Sequence, residues 1–377
     1  MNEFWQKSKI VAGIITKREL SGPLWATVSI VDACNYRCIM CWEHSSEVEG
    51  WGADKLYREY HANKINKATA MDYGMYQSLV ESLASVGTRR LGLHGICEPL
   101  MYNQIVDAVA FAKSMGMKVS ISSNGALLSH DLIKDLVEVG LDEINISINA
   151  GSREEYGQVH PKQDEIRFDQ IVENLIWMKE YKATKGKQWP LVSLSNVVSN
   201  INSHRGLEMM EVGIKVGAYS VTYRPISTFT NVKQFALNQE DLDTLHDSFN
   251  RVRALANIHG ISTNIEEFDQ LIALRSSNHI PAPCFVGGWL STMIMANGDV
   301  IYCCNSREVI GNLGVASFKS IWFSSERCKL NNIALRIHKT QKPLPKSRCI
   351  DCELALLNMK LYGKFWPLWG KVVLFSG

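Results

Sequence analysis

Apolar positions along the chain alternate between two periods. From residue 25 to about 266, short β-branched runs are separated by stretches in which apolar residues recur every three or four positions. Residues 25–32 (WATVSIVD), 91–95 (LGLHG), 119–123 (VSISS), 144–149 (INISIN), 191–198 (LVSLSNVV) and 219–225 (YSVTYRP) read as strands. Between them, helices are predicted around Met75, Leu79, Leu83 and Val86, over 105–115, around Leu132, Ile133, Leu136 and Val137, over 171–181, and around Leu207, Met210 and Ile214. A clean amphipathic stripe follows at Leu242, Leu245, Phe249, Val252 and Ala256. Gly140 reads as a helix stop, and Ser203 as the cap of the helix carrying Leu207. Strand–helix units repeated in this way predict an α/β protein with parallel strands and right-handed crossovers. Periodicity leaves a doubly wound sheet and a partial barrel both open. In either, ligands bind at the carboxyl ends of the strands.

The alternation stops in the Ser/Pro-bearing stretch SSNHIPAPC (276–284), and the pattern beyond it differs. A hairpin is expected there, with strands over 290–295 and 300–304 and a turn at Asn297-Gly298, then a helix near 317–338 and a loop to Cys349. The expected organisation is an N-terminal extension (1–24), an α/β core (25–275), a small α+β domain (276–352) and a C-terminal tail (353–377).

Composition narrows the chemistry. The formal net charge is +2 over 377 residues, with no basic stripe, so nucleic acid is not an expected partner. No run of 18 apolar residues suggests a transmembrane helix, and the first 20 residues lack a signal-peptide pattern, which predicts a cytoplasmic protein. Lys360, Lys364 and Lys371 among Phe365, Trp366, Leu368 and Trp369 suggest a tail that packs back on the core or meets a membrane surface or partner. Ten cysteines remain to be explained. In a reducing compartment, clustered cysteines point to metal or catalysis rather than to disulfides.

Two clusters carry the signal. Cys34, Cys38 and Cys41 follow the first strand with C-x3-C-x2-C spacing. Three thiolates this close suit three corners of an iron–sulfur cube with one iron left open. A zinc site completed by His44 is the alternative. Cys284, Cys303, Cys349 and Cys352 form the second set, in which C-x13-G-x4-C runs through Gly298; Cys304 is the alternative to Cys303 as ligand, and a zinc ribbon the alternative site.

The first spacing, at the end of a first strand, resembles the signature of the radical S-adenosylmethionine superfamily. The resemblance runs from Cys34 to about Ile226 and implies a partial (β/α)6 barrel, TIM-like in its winding. It also implies a [4Fe–4S] cluster whose open iron is chelated by S-adenosylmethionine. Met40 stands where the family usually has an aromatic residue. Gly95-Ile96-Cys97-Glu98-Pro99 is similar to the family's Gly-Gly-Glu-Pro segment, with Cys97 in place of a glycine. Ser123-Asn124-Gly125 is similar to its Thr-Asn-Gly turn, and Ser147 and Asn149 lie where it commonly has Ser and Asp near the cofactor. The second set resembles the SPASM domain in its shortened twitch form, which implies one auxiliary [4Fe–4S] cluster bound by four thiolates.

The resemblance further implies reductive cleavage of S-adenosylmethionine to a 5′-deoxyadenosyl radical, fed by a one-electron donor such as flavodoxin or ferredoxin, and hydrogen abstraction from a substrate. The expected substrate is a small molecule such as a sugar, polyol or amino sugar, with dehydrogenation or epimerisation as the outcome. The four-cysteine spacing is similar to that of a twitch dehydrogenase of aminoglycoside synthesis. A peptide-modifying maturase is the alternative reaction, and a non-catalytic metal-binding scaffold the alternative class. With about 24 residues before the first strand, no separate leader-binding domain is expected, which favours the small molecule. Cys97 or Cys304 is a candidate hydrogen donor, while Cys328 reads as structural. Residues 42–71 read as a cover for the site or as a solvated surface segment. Trp42, Glu43, His44 and Arg224 are candidate substrate contacts, and an ion pair is the alternative for Arg224.

Overall fold

The computed structural model describes residues 3–41, 43–45, 70–227 and 232–373, with side chains up to Lys364 in the last segment. The elements run α1 (Glu3–Thr16), β1 (Trp25–Ser29), α2 (Tyr73–Ser85), β2 (Arg90–Leu93), α3 (Ile105–Ser114), β3 (Lys118–Ser123), α4 (His130–Glu138) and β4 (Glu143–Ser147). There follow α5 (Arg153–Val159), α6 (Ile166–Thr184), β5 (Leu191–Val198), α7 (Gly206–Val216), β6 (Ser220–Pro225), α8 (Gln239–His259), β7 (Ser262–Thr263) and α9 (Ile265–Ser277). The C-terminal third contributes β8 (Ser291–Met295), β9 (Asp299–Ile301), β10 (Val309–Asn312), α10 (Phe318–Trp322), α11 (Ser325–Ala334), α12 (Ile337–Thr340) and α13 (Ala355–Val373).

Strand order decides between the two architectures that periodicity left open. The sheet runs β10-β9-β8-β1-β2-β3-β4-β5-β6-β7. Strands β1 to β7 are neighbours in sequence order and parallel, with no reversal point. A doubly wound sheet needs such a reversal. Right-handed crossovers that all step one way keep every helix on one face. The sheet is therefore an open, singly wound barrel wall, and its second face forms the lumen.

Burial along the strands follows this geometry. Val119, Ile121, Ile144, Ile146, Val192, Leu194, Val221 and Tyr223 are buried under the helices, with Leu79, Leu136, Leu175, Met210 and Phe249 in the same core. The alternate positions are polar and face inward: Ser120 and Ser122, Asn145 and Ser147, Ser195, Thr222 and Arg224. They bond across strands. Ser195 Oγ donates to Asn145 Oδ1 at 2.8 Å, and Ser193 Oγ to Glu143 at 3.0 Å.

Local signals explain most element ends. Asn238 and Asp241 form a capping box for α8, each side chain accepting the other's backbone N–H. Ser129 caps α4, and Gly140 follows that helix at φ +79°. Ser203 corrects one expectation. It lies in a 3-10 turn, its hydroxyl donates to Asp241, and α7 starts at Gly206 with no side-chain cap. The helix expected over 317–338 is three helices, restarted where Ser324 caps α11 and where Arg336 precedes α12. Helix α9 is an addition.

The C-terminal segment does not stand apart from the barrel wall. Strand β8 pairs in parallel with β1, from Trp25 opposite Ser291 to Ser29 opposite Met295, and β9 and β10 extend the sheet antiparallel. Segment 1–24, expected as an extension, holds α1, whose Ile10 and Ile14 pack with Phe285, Val286, Trp289, Leu290 and Leu335. Leu354, Leu357, Leu361 and Tyr362 at the start of α13 pack on the same cluster. Lys360 pairs with Glu267 of α9, so the described start of the tail lies back on the core.

Candidate functional site

The first thiol set leaves the carboxyl end of β1. Cys34, Cys38 and Cys41 lie near enough to feel one another's charge, and all are free thiols. Burial pushes all three up, Cys41 to about 12. Backbone N–H groups point at the sulfurs: Tyr36 N–H at 3.4 Å from Cys34 Sγ, and His44 N–H at 3.3 Å from Cys41 Sγ. A buried thiol stays neutral until a bound cation displaces its proton to solvent, and convergent N–H donors then stabilise the thiolate.

The ends of β2 and β3 close around this loop through Glu98, which is 2% exposed. Its carboxylate accepts from Leu100 N–H at 3.1 Å, Ser123 Oγ at 2.7 Å and Asn124 N–H at 2.8 Å. Burial raises its pKa, and the donors pull the other way. Pro99 opens the short turn behind it. Asn124 Nδ2 donates to Asn35 Oδ1 at 2.8 Å and reaches Cys34 Sγ at 4.0 Å. Gly95 has φ +142°, and a Cβ there would stand 2.7 Å from Met293 Cε and 3.0 Å from Ser29 Cβ. Only glycine fits here, because Met293 and Ser29 fill the space a side chain would take, and Gly95 itself is exposed. Met40 lies on the other side of the mouth with Ile226, Val232 and Val197.

Ser147 and Asn149 differ in availability. Ser147 points into the lumen from β4, whereas Asn149, at φ +55°, is committed internally. Its Oδ1 accepts from Val197 N–H at 2.9 Å, and its Nδ2 donates to the Ser147 carbonyl and to His160 Nε2. Cys97 is half-buried beside Ser29 and within charge reach of Cys34.

The second set gathers under β8 and β9. Cys284 and Cys349 pack with Cys303 and Tyr302, and a pocket opens between Cys284, Cys349, Cys352 and Asn358. Gly287 N–H donates to Cys284 Sγ at 3.4 Å, Asn305 Nδ2 to Cys352 Sγ at 3.2 Å, and Ser347 Oγ lies 3.0 Å from Cys349 Sγ. Neighbours separate the adjacent pair. Cys303 packs in the cluster of Tyr302, Cys284 and Cys349, whereas Cys304 packs against Ile96, Met293, Met295 and Ile301 on the barrel side while still feeling the charge of Cys352 and Cys284. Among the described residues, no three Cys, His, Asp or Glu groups converge closely enough to hold a single metal ion.

The candidate substrate contacts resolve in three ways. Trp42 and 46–69 lie outside the described residues. Glu43 forms a buried ion pair with Arg307, which also donates to the Cys304 carbonyl, so the two thiol loops are tied together. His44 Nε2 lies 2.8 Å from the Ile96 carbonyl, which only accepts, so that nitrogen carries the proton. Arg224 pairs with Glu353 at 2.8 Å across the lumen mouth. His94, which the sequence left inside a strand, lies beside them. Burial first, and then Arg224, pushes it down to about 4. Asp351 was also missed. It binds Arg275 at 2.8 Å through charge contact, and it accepts from Ser227 and Arg348. Its position between Cys349 and Cys352 was the available signal.

With this geometry, residues 28–198 match the Radical SAM superfamily and residues 284–353 match an iron–sulfur cluster-binding domain, SPASM. An S-adenosylmethionine-dependent nucleotide dehydratase of Pseudoalteromonas ulvae is 28% identical, over 47% of this chain and 56% of its own. The Fe-coproporphyrin III synthase of Methanosarcina barkeri is 28% identical, over 31% of this chain and 25% of its own. The chain thus spans from a quarter to just over half the length of these relatives. Streptococcus suis SuiB bound to its precursor peptide SuiA superposes with a TM-score of 0.62 at 13% identity, covering 86% of this chain and 70% of that one. That likeness concerns the fold.

Proposed function

We propose that this chain, a member of the radical SAM superfamily with a C-terminal SPASM-type iron–sulfur domain, oxidises or epimerises a small polar molecule by hydrogen abstraction. The cofactors of these two domains are S-adenosylmethionine and two [4Fe–4S] clusters. When bound, they supply reductive cleavage of S-adenosylmethionine, a hydrogen-abstracting 5′-deoxyadenosyl radical and a one-electron relay.

Cys34, Cys38 and Cys41 are assigned to the first cluster, and Cys284, Cys303, Cys349 and Cys352 to the auxiliary one. The exposed Gly95, Glu98, Asn124 and Ser147 line the place for S-adenosylmethionine. Glu98 acts by fixing two strand ends rather than by direct contact, because all its bonds run to the protein. Asn149 acts by holding the turn after β4. The substrate lies in the lumen between the two thiol sets, where Arg224 and neutral His94 offer donors and the inward strand positions offer hydroxyls and amides. Cys97 and Cys304 are candidate donors if hydrogen is returned to the substrate. If it is not, the substrate radical loses a proton and passes one electron to the auxiliary cluster, leaving a carbonyl.

The observation that carries this reading is the polar lumen. Ser120, Ser122, Asn145, Ser195 and Thr222 line it with hydroxyl and amide groups, which suit a ligand rich in hydroxyl and amine groups and give an apolar ligand few partners. A peptide substrate is the second reading, favoured by the fold shared with a peptide-bound structure. The reductant is proposed to be a flavodoxin or ferredoxin, and the compartment the cytoplasm.

The test incubates reconstituted, reduced protein with S-adenosylmethionine and sugar, polyol, amino-sugar or peptide panels in deuterated water. A carbonyl product means dehydrogenation, and solvent deuterium at carbon means a thiol donor. Turnover only of peptides overturns the small-molecule reading.

A further inference from the structure

Helix α11 buries a guanidinium in an unusual place. Arg327 is 0% exposed. Its guanidinium lies 3.4 Å above the Trp322 ring and 5.1 Å from the Tyr302 ring. Nη2 donates to the carbonyls of Gly287 at 2.8 Å, Gly288 at 3.1 Å and Ser291 at 3.5 Å. Nε and Nη1 have no hydrogen-bond partner. No described carboxylate pairs with it. Glu19 is the carboxylate whose charge it feels, and Glu19 accepts instead from Asn331.

A buried cation without a counter-ion is strongly disfavoured. Burial lowers the Arg327 pKa only to about 10, so the group stays charged near neutrality. Carbonyl dipoles and two aromatic faces offset part of that cost, and a full negative charge nearby offsets more. The remaining groups that face Arg327 are Tyr302, Cys303 and Cys284. Gly287 joins the two sides: its carbonyl takes Arg327, and its N–H donates to Cys284 Sγ.

We propose that Arg327 is the buried counter-charge of the auxiliary cluster and holds that cluster's reduction potential up. The inference rests on the ligand assignment proposed above. Four thiolates around a [4Fe–4S] core leave it with net negative charge, and one-electron reduction adds another. A fixed cation beside two of the four sulfurs favours the reduced state, while the first cluster, across the barrel mouth, is left unaffected. The electron comes from the substrate radical or the external donor, and no proton is required.

The experiment is an EPR-monitored potentiometric titration of the full-length, reconstituted chain, wild type against Arg327→Gln and Arg327→Lys. Arg327→Gln is expected to shift the auxiliary reduction equilibrium about tenfold toward the oxidised state, about 59 mV more negative for a one-electron couple. Arg327→Lys is expected to keep most of the wild-type value, and the first cluster to stay unchanged in both. An unchanged auxiliary potential in Arg327→Gln, or equal shifts in Gln and Lys variants, overturns the proposal. Absence of any auxiliary signal in wild type overturns the ligand assignment instead. A second measurement compares melting with and without iron in wild type and Arg327→Met. Cluster loading is expected to raise the wild-type melting temperature more, and equal increments overturn the counter-charge role.

Discussion

Replacing Glu98 by Gln removes one acceptor and leaves everything else nearly isosteric. In the native site Oε1 serves Leu100 N–H and Ser123 Oγ, while Oε2 serves Asn124 N–H. A glutamine that keeps its oxygen at the first position turns its NH2 toward Asn124 N–H, so two donors meet. Flipping the amide rescues Asn124 and orphans the other two donors. A buried donor left unsatisfied costs about 1–3 kcal/mol. Part of this is returned, because burial pushes the Glu98 carboxyl up and the neutral amide avoids that penalty. The net expectation is a loss of about 1–2 kcal/mol, and for Glu98→Ala, with all acceptors gone, about 3 kcal/mol or more. The larger effect is local. Asn124 reaches Asn35 and Cys34 from the turn that Glu98 anchors, so the S-adenosylmethionine site loosens before the fold does. Urea unfolding of the apoprotein reads the first quantity, and equilibrium dialysis of S-adenosylmethionine with reconstituted protein reads the second. A Glu98→Gln chain with wild-type midpoint and wild-type affinity refutes the reasoning.

Two further outcomes follow from buried charge. Asp351→Ala removes the carboxylate faced by Arg275 and Arg348, the latter 2% exposed, and is expected to cost about 3–5 kcal/mol by thermal or urea melting; a loss under about 1 kcal/mol contradicts the assignment. His160, wholly buried, donates through Nδ1 to the Tyr156 carbonyl and accepts from Asn149, and burial pushes it from 6.5 down to about 4. Between those values the unfolded chain binds a proton that the folded chain does not. Stability is therefore complete above pH 6.5 and falls as pH drops toward 4, by about 3 kcal/mol. A replacement that cannot titrate, His160→Gln, should flatten that slope, and an unchanged slope counts against it.

Strand positions were legible because inward polar and outward apolar residues alternate, as in Val119-Ser120-Ile121-Ser122. Direction of winding was not, since it depends on which strand each β pairs with. The β8–β1 pairing joins residues far apart in sequence and carries no local signal. Ser203 misled because a cap and a distant acceptor look alike in sequence, and Asp241 took its hydroxyl. In α9, Ile265, Phe268 and Leu271 hold the helical spacing, but the stripe is short and runs directly into the Ser/Pro-bearing stretch, so it carries little signal of its own. The thiol motifs stood out by spacing alone. Their supports did not: Arg307, Asp351 and Arg327 are charged residues whose burial only tertiary packing reveals.

The account's central claim is a division of labour between two thiol sets, and product analysis tests it most directly. Anaerobically reconstituted wild-type protein should bind about eight irons and, once reduced, convert S-adenosylmethionine to 5′-deoxyadenosine and methionine. Replacing Cys34, Cys38 and Cys41 by Ala should abolish that product while about four irons remain. Iron-replete wild type that forms no 5′-deoxyadenosine, or a triple variant that still does, contradicts the account.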